Sequence, residues 1–367
     1  MKVCWIVRVP VVERDQRLYS PLAGVRLRTI VPVEELQRCG HEAIILQLPG
    51  SGLLDVPTLS ALESCEAALF GPLLPAPNQS IDDSASAVFA LMKRLQKLDI
   101  KTVADIHDDH FEEPGRSAYF TGLVQKADAV VVNSNAMAQL VSRYTDRPTK
   151  VIADSYEGPH GEPRFDPAAG STWFDRIFPR RARRLKLAWF GHQSNLQTVY
   201  GLADAIVASG VRWPVQVSIV SKDGFGAREF CEVFNHYHGR RCRMGFEAWS
   251  PVATQHALQE CDLAVIPSDL TLGRMTVKSA NRVIEIVRAG RFAVAHAIPS
   301  YLEFSTHAWI GEDIIGGIEW AMEHPNEVRA RIRTGQHYVE KNFSPQALGR
   351  QWQNAFLEIL SQGRERP

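Results

Sequence analysis

What most constrains this chain is an alternation that runs from one end to the other: short apolar runs rich in Val, Ile and Ala, each followed by a longer stretch of helical periodicity. Strands that alternate with helices pair in parallel through crossover connections, so the pattern predicts an α/β protein built on parallel sheets. In the first half the predicted strands are Lys2 to Val9, Glu42 to Gln47, Ala67 to Phe70, Lys101 to Ile106, Ala129 to Val132 and Lys150 to Ala153. Helical periodicity is clearest over Ser84 to Leu98 and Ala136 to Tyr144, where Asn133-Ser134-Asn135 supplies side chains that cap a helix start. The pattern lapses through Gly158 to Arg184, then restarts with strands predicted at Leu185 to Phe190, Val215 to Val220, Arg243 to Phe246, Leu263 to Ile266 and Phe292 to Ala295. A helix is predicted over Lys278 to Ala289, and after residue 297 the chain reads as mostly helical, at Ile314 to Glu323, Asn326 to Asn342 and Pro345 to Gln362. A lapse of that length is unusual inside one compact domain. The expected organisation is therefore two Rossmann-like domains, 1–157 and 185–345, with an interdomain linker region at 158–184 and a C-terminal helix, 346–367, packing back on the first domain.

At 367 residues, 45% of them hydrophobic and 22% charged, the chain can bury two cores and is not a disordered tail. Lys plus Arg (41) equals Asp plus Glu (41), which provides no global field for a nucleic-acid backbone. Six cysteines are scattered without a CxxC pair, so neither a zinc knuckle nor a disulfide framework is expected, and a cytoplasmic location fits. No run approaches the roughly 20 apolar residues of a spanning helix. One segment invites a membrane reading: Trp173, Phe174, Ile177 and Phe178 precede Arg180, Arg181, Arg183 and Arg184. Weak peripheral contact with an anionic inner membrane face is one interpretation, a solvated linker the other. Oligomeric state is not encoded in any of these features.

Two facing doubly wound domains are expected to gather ligands at their strand C-termini, so the loops after the strands carry the chemistry. The densest is Asp105-Ile106-His107-Asp108-Asp109-His110. Histidine can donate or accept a proton near neutrality, and Asp108 could orient His107, which makes both candidate catalytic residues. A metal reading competes, but consecutive loop residues cannot all face one ion; in a third reading the charges cap the next helix. The loop Gly191-His192-Gln193-Ser194-Asn195 combines close backbone approach with free N–H groups that could bind a phosphate, or is an ordinary capped turn. Lys278, Asn281, Arg282 and Glu285, with Ser279 between them, recur at helical spacing and would line one helix face. Basic residues near a helix N-terminus oppose the macrodipole unless an anion such as a nucleotide diphosphate offsets them, the other reading being a solvated charged face. Gly24, Arg26 and Arg28 precede the first helix and could admit a ligand there, or merely start the helix.

At these loops the chain resembles a glycosyltransferase of the GT-B fold, in the large retaining group that includes many bacterial polysaccharide and glycolipid enzymes. The likeness extends over nearly the whole length. Glu34-Glu35-Leu36-Gln37-Arg38-Cys39-Gly40-His41-Glu42 is similar to the family's entry to its second strand, and Ile106-His107-Asp108 to its strand-end His-Asp. Ala127 to Ser134 resembles its last N-domain strand, and Val151 to Gly158 stands where the chain crosses to the donor domain. Most specific is Glu285-Ile286-Val287-Arg288-Ala289-Gly290-Arg291-Phe292-Ala293-Val294, which parallels the family's E-A-x-A-x-G-x-P-V-V. The chain departs from the family at Val277, where many members have a donor-sugar glutamate, and in lacking the basic pair after the first donor-domain strand, where His192 and Asn195 stand instead.

The resemblance implies a nucleotide-sugar donor as substrate, a glycan or lipid-linked acceptor on the side of Gly24, Arg26 and Arg28, and no bound metal or other cofactor. It gives Glu285 the nucleotide ribose, with Gly191, His192, Asn195, Lys278, Ser279, Asn281 and Arg282 around the diphosphate, and turns His107 toward the transferring sugar. The alternatives are a GT-B sugar-nucleotide epimerase, which needs no acceptor, and a non-catalytic two-domain ligand-binding protein.

Overall fold

The computed structural model describes residues 1–14, 17–48, 56–71, 81–166, 184–209, 213–224 and 226–361. The described chain divides into two compact units, one comprising Met1–Tyr156, Thr276–Ser279 and Asn342–Pro367, the other Glu157–Met275 and Ala280–Lys341.

The first unit contains β1 (Lys2–Val7), β2 (Val12–Arg14), β3 (Arg17–Tyr19), β4 (Glu42–Gln47), β5 (Ala67–Phe70), β6 (Lys101–Ile106), β7 (Ala129–Val132) and β8 (Thr149–Val151). Its main sheet is parallel, in the order β4-β1-β5-β6-β7-β8. Because both faces are covered by helices, β5 and β7 are buried at every position, which is why they read in sequence as unbroken apolar runs. Cys4, Ile6, Phe70 and Ile106 point into one core, while Val3, Trp5, Leu69 and Val103 point into the other, as the two-residue period of a strand requires. The second core is closed by the last helix, Pro345–Ser361, whose Trp352 and Phe356 rings lie 5.6 and 5.3 Å from that of Trp5, edge to face. The antiparallel pair β2–β3 was not visible in the sequence, where its residues carry no clear alternation.

Helix Ala23–Val25 runs through a π-helical turn, Arg26–Ile30, into Val31–Arg38. The turn changes the side-chain phase, and all five of its residues are buried. Arg28, 2% exposed, holds Asp105 through Nε and Nη2 at 2.6 to 3.0 Å, while its Nη1 donates to Asp154 Oδ1 at 3.0 Å and to the Ile152 carbonyl at 2.8 Å. Burial opposes its charge, but Asp105 and then Asp154 outweigh that and raise its pKa. Arg28 is therefore a buried tie among β6, the stretch after β8 and the first helix, which corrects its reading as an acceptor-side group. Arg26 is also buried, 8% exposed, and donates to the Ser20 carbonyl at 2.9 Å.

The second unit contains β9 (Leu185–Phe190), β10 (Val215–Ser221), β11 (Cys242–Ala248), β12 (Leu263–Ile266), β13 (Phe292–His296) and β14 (Trp309–Gly311). They form a parallel sheet in the order β11-β10-β9-β12-β13-β14, which is 3-2-1-4-5-6 when counted within the unit. That is the strand order of doubly wound nucleotide-binding sheets, with its reversal between β9 and β12. β14 extends the sheet in a region read from sequence as helical, because three residues are too few to display a period. All six cysteines are free. Among the described residues no helix is long and apolar enough to cross a membrane.

Candidate functional site

In the second unit the reversal of strand order places the loops after β9 and β12 side by side, where a doubly wound sheet opens its crevice. The first of these loops begins at Gly191, whose N–H donates to Val220 O at 3.1 Å and whose carbonyl accepts from Ser221 Oγ at 3.0 Å. A Cβ on Gly191 would press on the Trp189 ring at 3.0 Å and lie at an ordinary contact distance of 3.5 Å from Arg282 Nη1, which places that guanidinium against this loop. His192 then caps a single 3₁₀ turn, Gln193–Asn195, its Nδ1 accepting from Ser194 N at 3.2 Å. Asn195 continues the turn by donating its N–H to His192 O. In the second loop Ser268 is 5% exposed and its Oγ is buried without a hydrogen-bond partner. The Ser268 N–H lies 2.9 Å from His296 Nδ1 at the end of β13. Neither Ser268 nor His296 falls in a recognisable spacing, and the sequence does not single them out.

The helix after this loop spans Asn281–Arg288, three residues shorter at its start than the expected Lys278 to Ala289. Ala280, at φ −79° and ψ 7°, is its cap, so Lys278 and Ser279 stand outside the helix. Asn281 is its first residue, Arg282 and Glu285 follow at a one-turn spacing, and Arg282 Nη1 is buried with no hydrogen-bond partner. An unmet guanidinium N–H beside a glycine loop at the strand ends is a donor that an anion could satisfy.

Glu285 is held by the crossing segment, accepting from the Glu157 N–H at 2.7 Å and the Gly158 N–H at 3.1 Å. Burial pushes its carboxyl up to about 7, against the lowering effect of those two N–H groups. A Cβ on Gly158 would lie 2.7 Å from Glu285 Oε2, and one on Gly161 2.2 Å from Ala289 O. Gly290, at φ +70°, closes the other side, where a Cβ would meet Glu162 O at 2.3 Å. Alanine at Gly290 combines a left-handed backbone with a backbone clash, and the expected loss is about 1 to 3 kcal/mol. Thermal unfolding of Gly290→Ala beside the parent protein measures it.

In the first unit His107 follows β6 directly. A Cβ on Gly24 would lie 3.0 Å from His107 Nε2, so the glycine makes room for the ring. His107 Nδ1 is buried without a partner, and the His107 carbonyl is fixed by Asn133 Nδ2 at 3.0 Å. Asp108 does not orient the imidazole as expected: its nearest approach to His107 Nε2 is 3.9 Å, and its Oδ1 forms an ion pair with Lys278. Burial raises the Asp108 carboxyl, but His107 and Lys278 together hold it below its ordinary range. Lys278 therefore belongs to the first unit with Val277, which is 6% exposed in that unit's core and whose carbonyl accepts from Ser134 Oγ. This corrects the expectation that Lys278 shares a helix face with Arg282 and Glu285.

The aromatic and basic segment that suggested a membrane contact, from Trp173 to Arg183, lies outside the described residues. Arg184 is described and half-buried, and its guanidinium donates to the carbonyls of Val215, Gly239 and Arg240 at 2.9 to 3.2 Å.

Two parallel α/β units with these strand orders define the GT-B fold. The sequence matches no protein-family model and no curated protein sequence. The fold is shared with HepE from Anabaena in complex with UDP, at 13% identity and a TM-score of 0.62, covering 98% of this chain and 100% of that one. It is shared with the catalytic domain of starch synthase IV from Arabidopsis thaliana bound to ADP and acarbose, at 11% identity and a TM-score of 0.61, over 98% and 99%. A glycosyltransferase from Rickettsia africae ESF-5 matches over 100% of both chains, at 14% identity and a TM-score of 0.57.

Proposed function

We propose that this chain is a glycosyltransferase that moves a sugar from a nucleotide-sugar donor to a hydroxyl of a glycan or lipid-linked acceptor, in the cytoplasm. The reading rests on one observation above all: the partnerless Arg282 Nη1 beside Gly191, at the strand-order reversal of the second unit. HepE with UDP and starch synthase IV with ADP add support, since both carry a nucleoside diphosphate on the same fold. The diphosphate is assigned to Arg282 and the loop Gly191 to Asn195, and the ribose to Glu285. In the transfer the acceptor oxygen bonds to the anomeric carbon, and the bond from that carbon to the phosphate oxygen breaks. The nucleoside diphosphate leaves with the electron pair and its phosphate oxygen takes up the acceptor hydroxyl proton, while Arg282 stabilises the developing charge without a metal ion. His107 serves the transfer step, and the anomeric configuration is retained.

Calorimetry with UDP tests the nucleotide assignment. Glu285→Gln removes a charge-assisted hydrogen bond worth about 1.5 to 3 kcal/mol, so UDP binding weakens by about 10- to 150-fold. Because the Glu285 carboxyl sits near about 7, its ionised, accepting form grows as pH rises. UDP affinity of the parent protein therefore increases from about pH 6 to about pH 8, by up to about tenfold from this group. The phosphates of UDP titrate in the same window, so the informative quantity is the difference between parent and Glu285→Gln. Identical affinities and identical pH dependence in the two proteins would remove Glu285 from the site. Arg282→Ala weakens UDP in the same direction.

A further inference from the structure

The second unit carries an open surface groove of about 530 Å³ lined by His160, Arg288, Arg333, Gln336, His337 and Glu340, none of which the proposed transfer uses. Arg333, Gln336, His337 and Glu340 recur at intervals of three, four and seven residues on the helix Pro325–Phe343 and so form one stripe. Arg288 ends the helix Asn281–Arg288, and His160 lies on the segment clamped against it. The wall of the groove is tied together by Gln336, 4% exposed, whose Nε2 donates to Gly161 O at 2.6 Å and to Arg288 O at 3.2 Å. The Arg288 side chain is 15% exposed and is held by an ion pair to Glu340 and by His160 Nδ1 at 2.9 Å. A guanidinium has only donors, so His160 Nδ1 is the acceptor in that contact and the ring proton is on Nε2, a further donor.

Glu340 counters one guanidinium, and Arg333 with the two imidazoles leaves the lining rich in donors and net positive. Among the described residues no group of His, Cys, Asp and Glu is arranged to hold a metal. From this juxtaposition we infer that the groove binds a phosphate monoester, whose dianion suits two arginines and two histidines. The phosphate group occupies only part of the volume, and a small sugar-sized moiety fills the rest. On entering, the phosphate displaces or crowds Glu340, so that carboxylate limits affinity.

Isothermal titration with inorganic phosphate and with glucose 1-phosphate, at constant ionic strength, tests the inference. Both probes bind, the ester more tightly. The double variant Arg333→Ala/His337→Ala, at two exposed positions, weakens both about tenfold or more, while Glu340→Gln tightens both several-fold. Arg282→Ala, in the proposed nucleotide site, does not abolish the binding of either probe. Heat absent at millimolar probe would overturn the site, as would binding that is lost in Arg282→Ala but kept in the double variant. Weaker binding in Glu340→Gln would do the same, and equal affinities for the two probes would overturn the ester. No sugar nucleotide enters the measurement, so its outcome is separate from that of glycosyl transfer.

Discussion

Arg28→Met lowers the stability of the first unit by about 3 to 5 kcal/mol. The magnitude follows from what remains: removing one partner of a buried ion cluster leaves uncompensated charge in a medium that solvates it poorly. Here the orphaned groups are Asp105 and Asp154, together with the Ile152 carbonyl, and the guanidinium also lies 5.5 Å from the Trp352 ring. Urea unfolding followed by tryptophan fluorescence reads the loss, since Trp5 donates its Nε1–H to the Arg28 carbonyl at 2.9 Å and packs on Trp352. Replacing all three charged residues with apolar side chains of similar volume recovers much of the stability, because the complete removal of a buried cluster avoids the unpaired state. An Arg28→Met midpoint equal to that of the parent would show that water reaches these carboxylates.

His107→Ala lowers kcat by about 10²- to 10⁴-fold with UDP affinity unchanged, the pattern of a group used in the transition state and not in nucleotide binding. The geometry behind this expectation is the imidazole set beside Gly24, with Nδ1 buried and without a partner and its backbone pinned by Asn133. Steady-state rates with a panel of sugar nucleotides and oligosaccharide or lipid-linked acceptors, beside calorimetry with UDP, separate the two quantities. Full turnover in the variant would leave His107 as a packing residue under Gly24. Loss of UDP binding with kcat intact would move it to the nucleotide.

Much of the framework was legible because parallel strands covered on both faces must be apolar throughout. β4, β5, β6, β7, β9 and β12 have the bounds read from the sequence. The ends of those strands led to His107 and Gly191, and helical spacing with the resemblance led to Glu285. The pair β2–β3 and the strand β14 were not legible, since three residues display no period. The start of the helix at Asn281 was also misplaced, because Lys278 and Ser279 are compatible with a helix and only the backbone turn at Ala280 excludes them.

The sequence by itself determined most of the longer elements, the parallel character of the two main sheets and the loops on which a ligand site could be built. These are local properties, set by side-chain periodicity over a few residues and by the crossover each parallel pair requires. Partners distant in sequence were decided only by the tertiary structure. It gave Arg28 to Asp105 and Asp154, took Asp108 from His107 and paired it with Lys278, and set Glu285 under the Glu157 and Gly158 N–H groups. The physical reason is that a charged side chain carries no record in its own neighbourhood of whether it will be hydrated or buried. A buried charge must find a counter-charge or hydrogen-bond partner wherever the fold brings one.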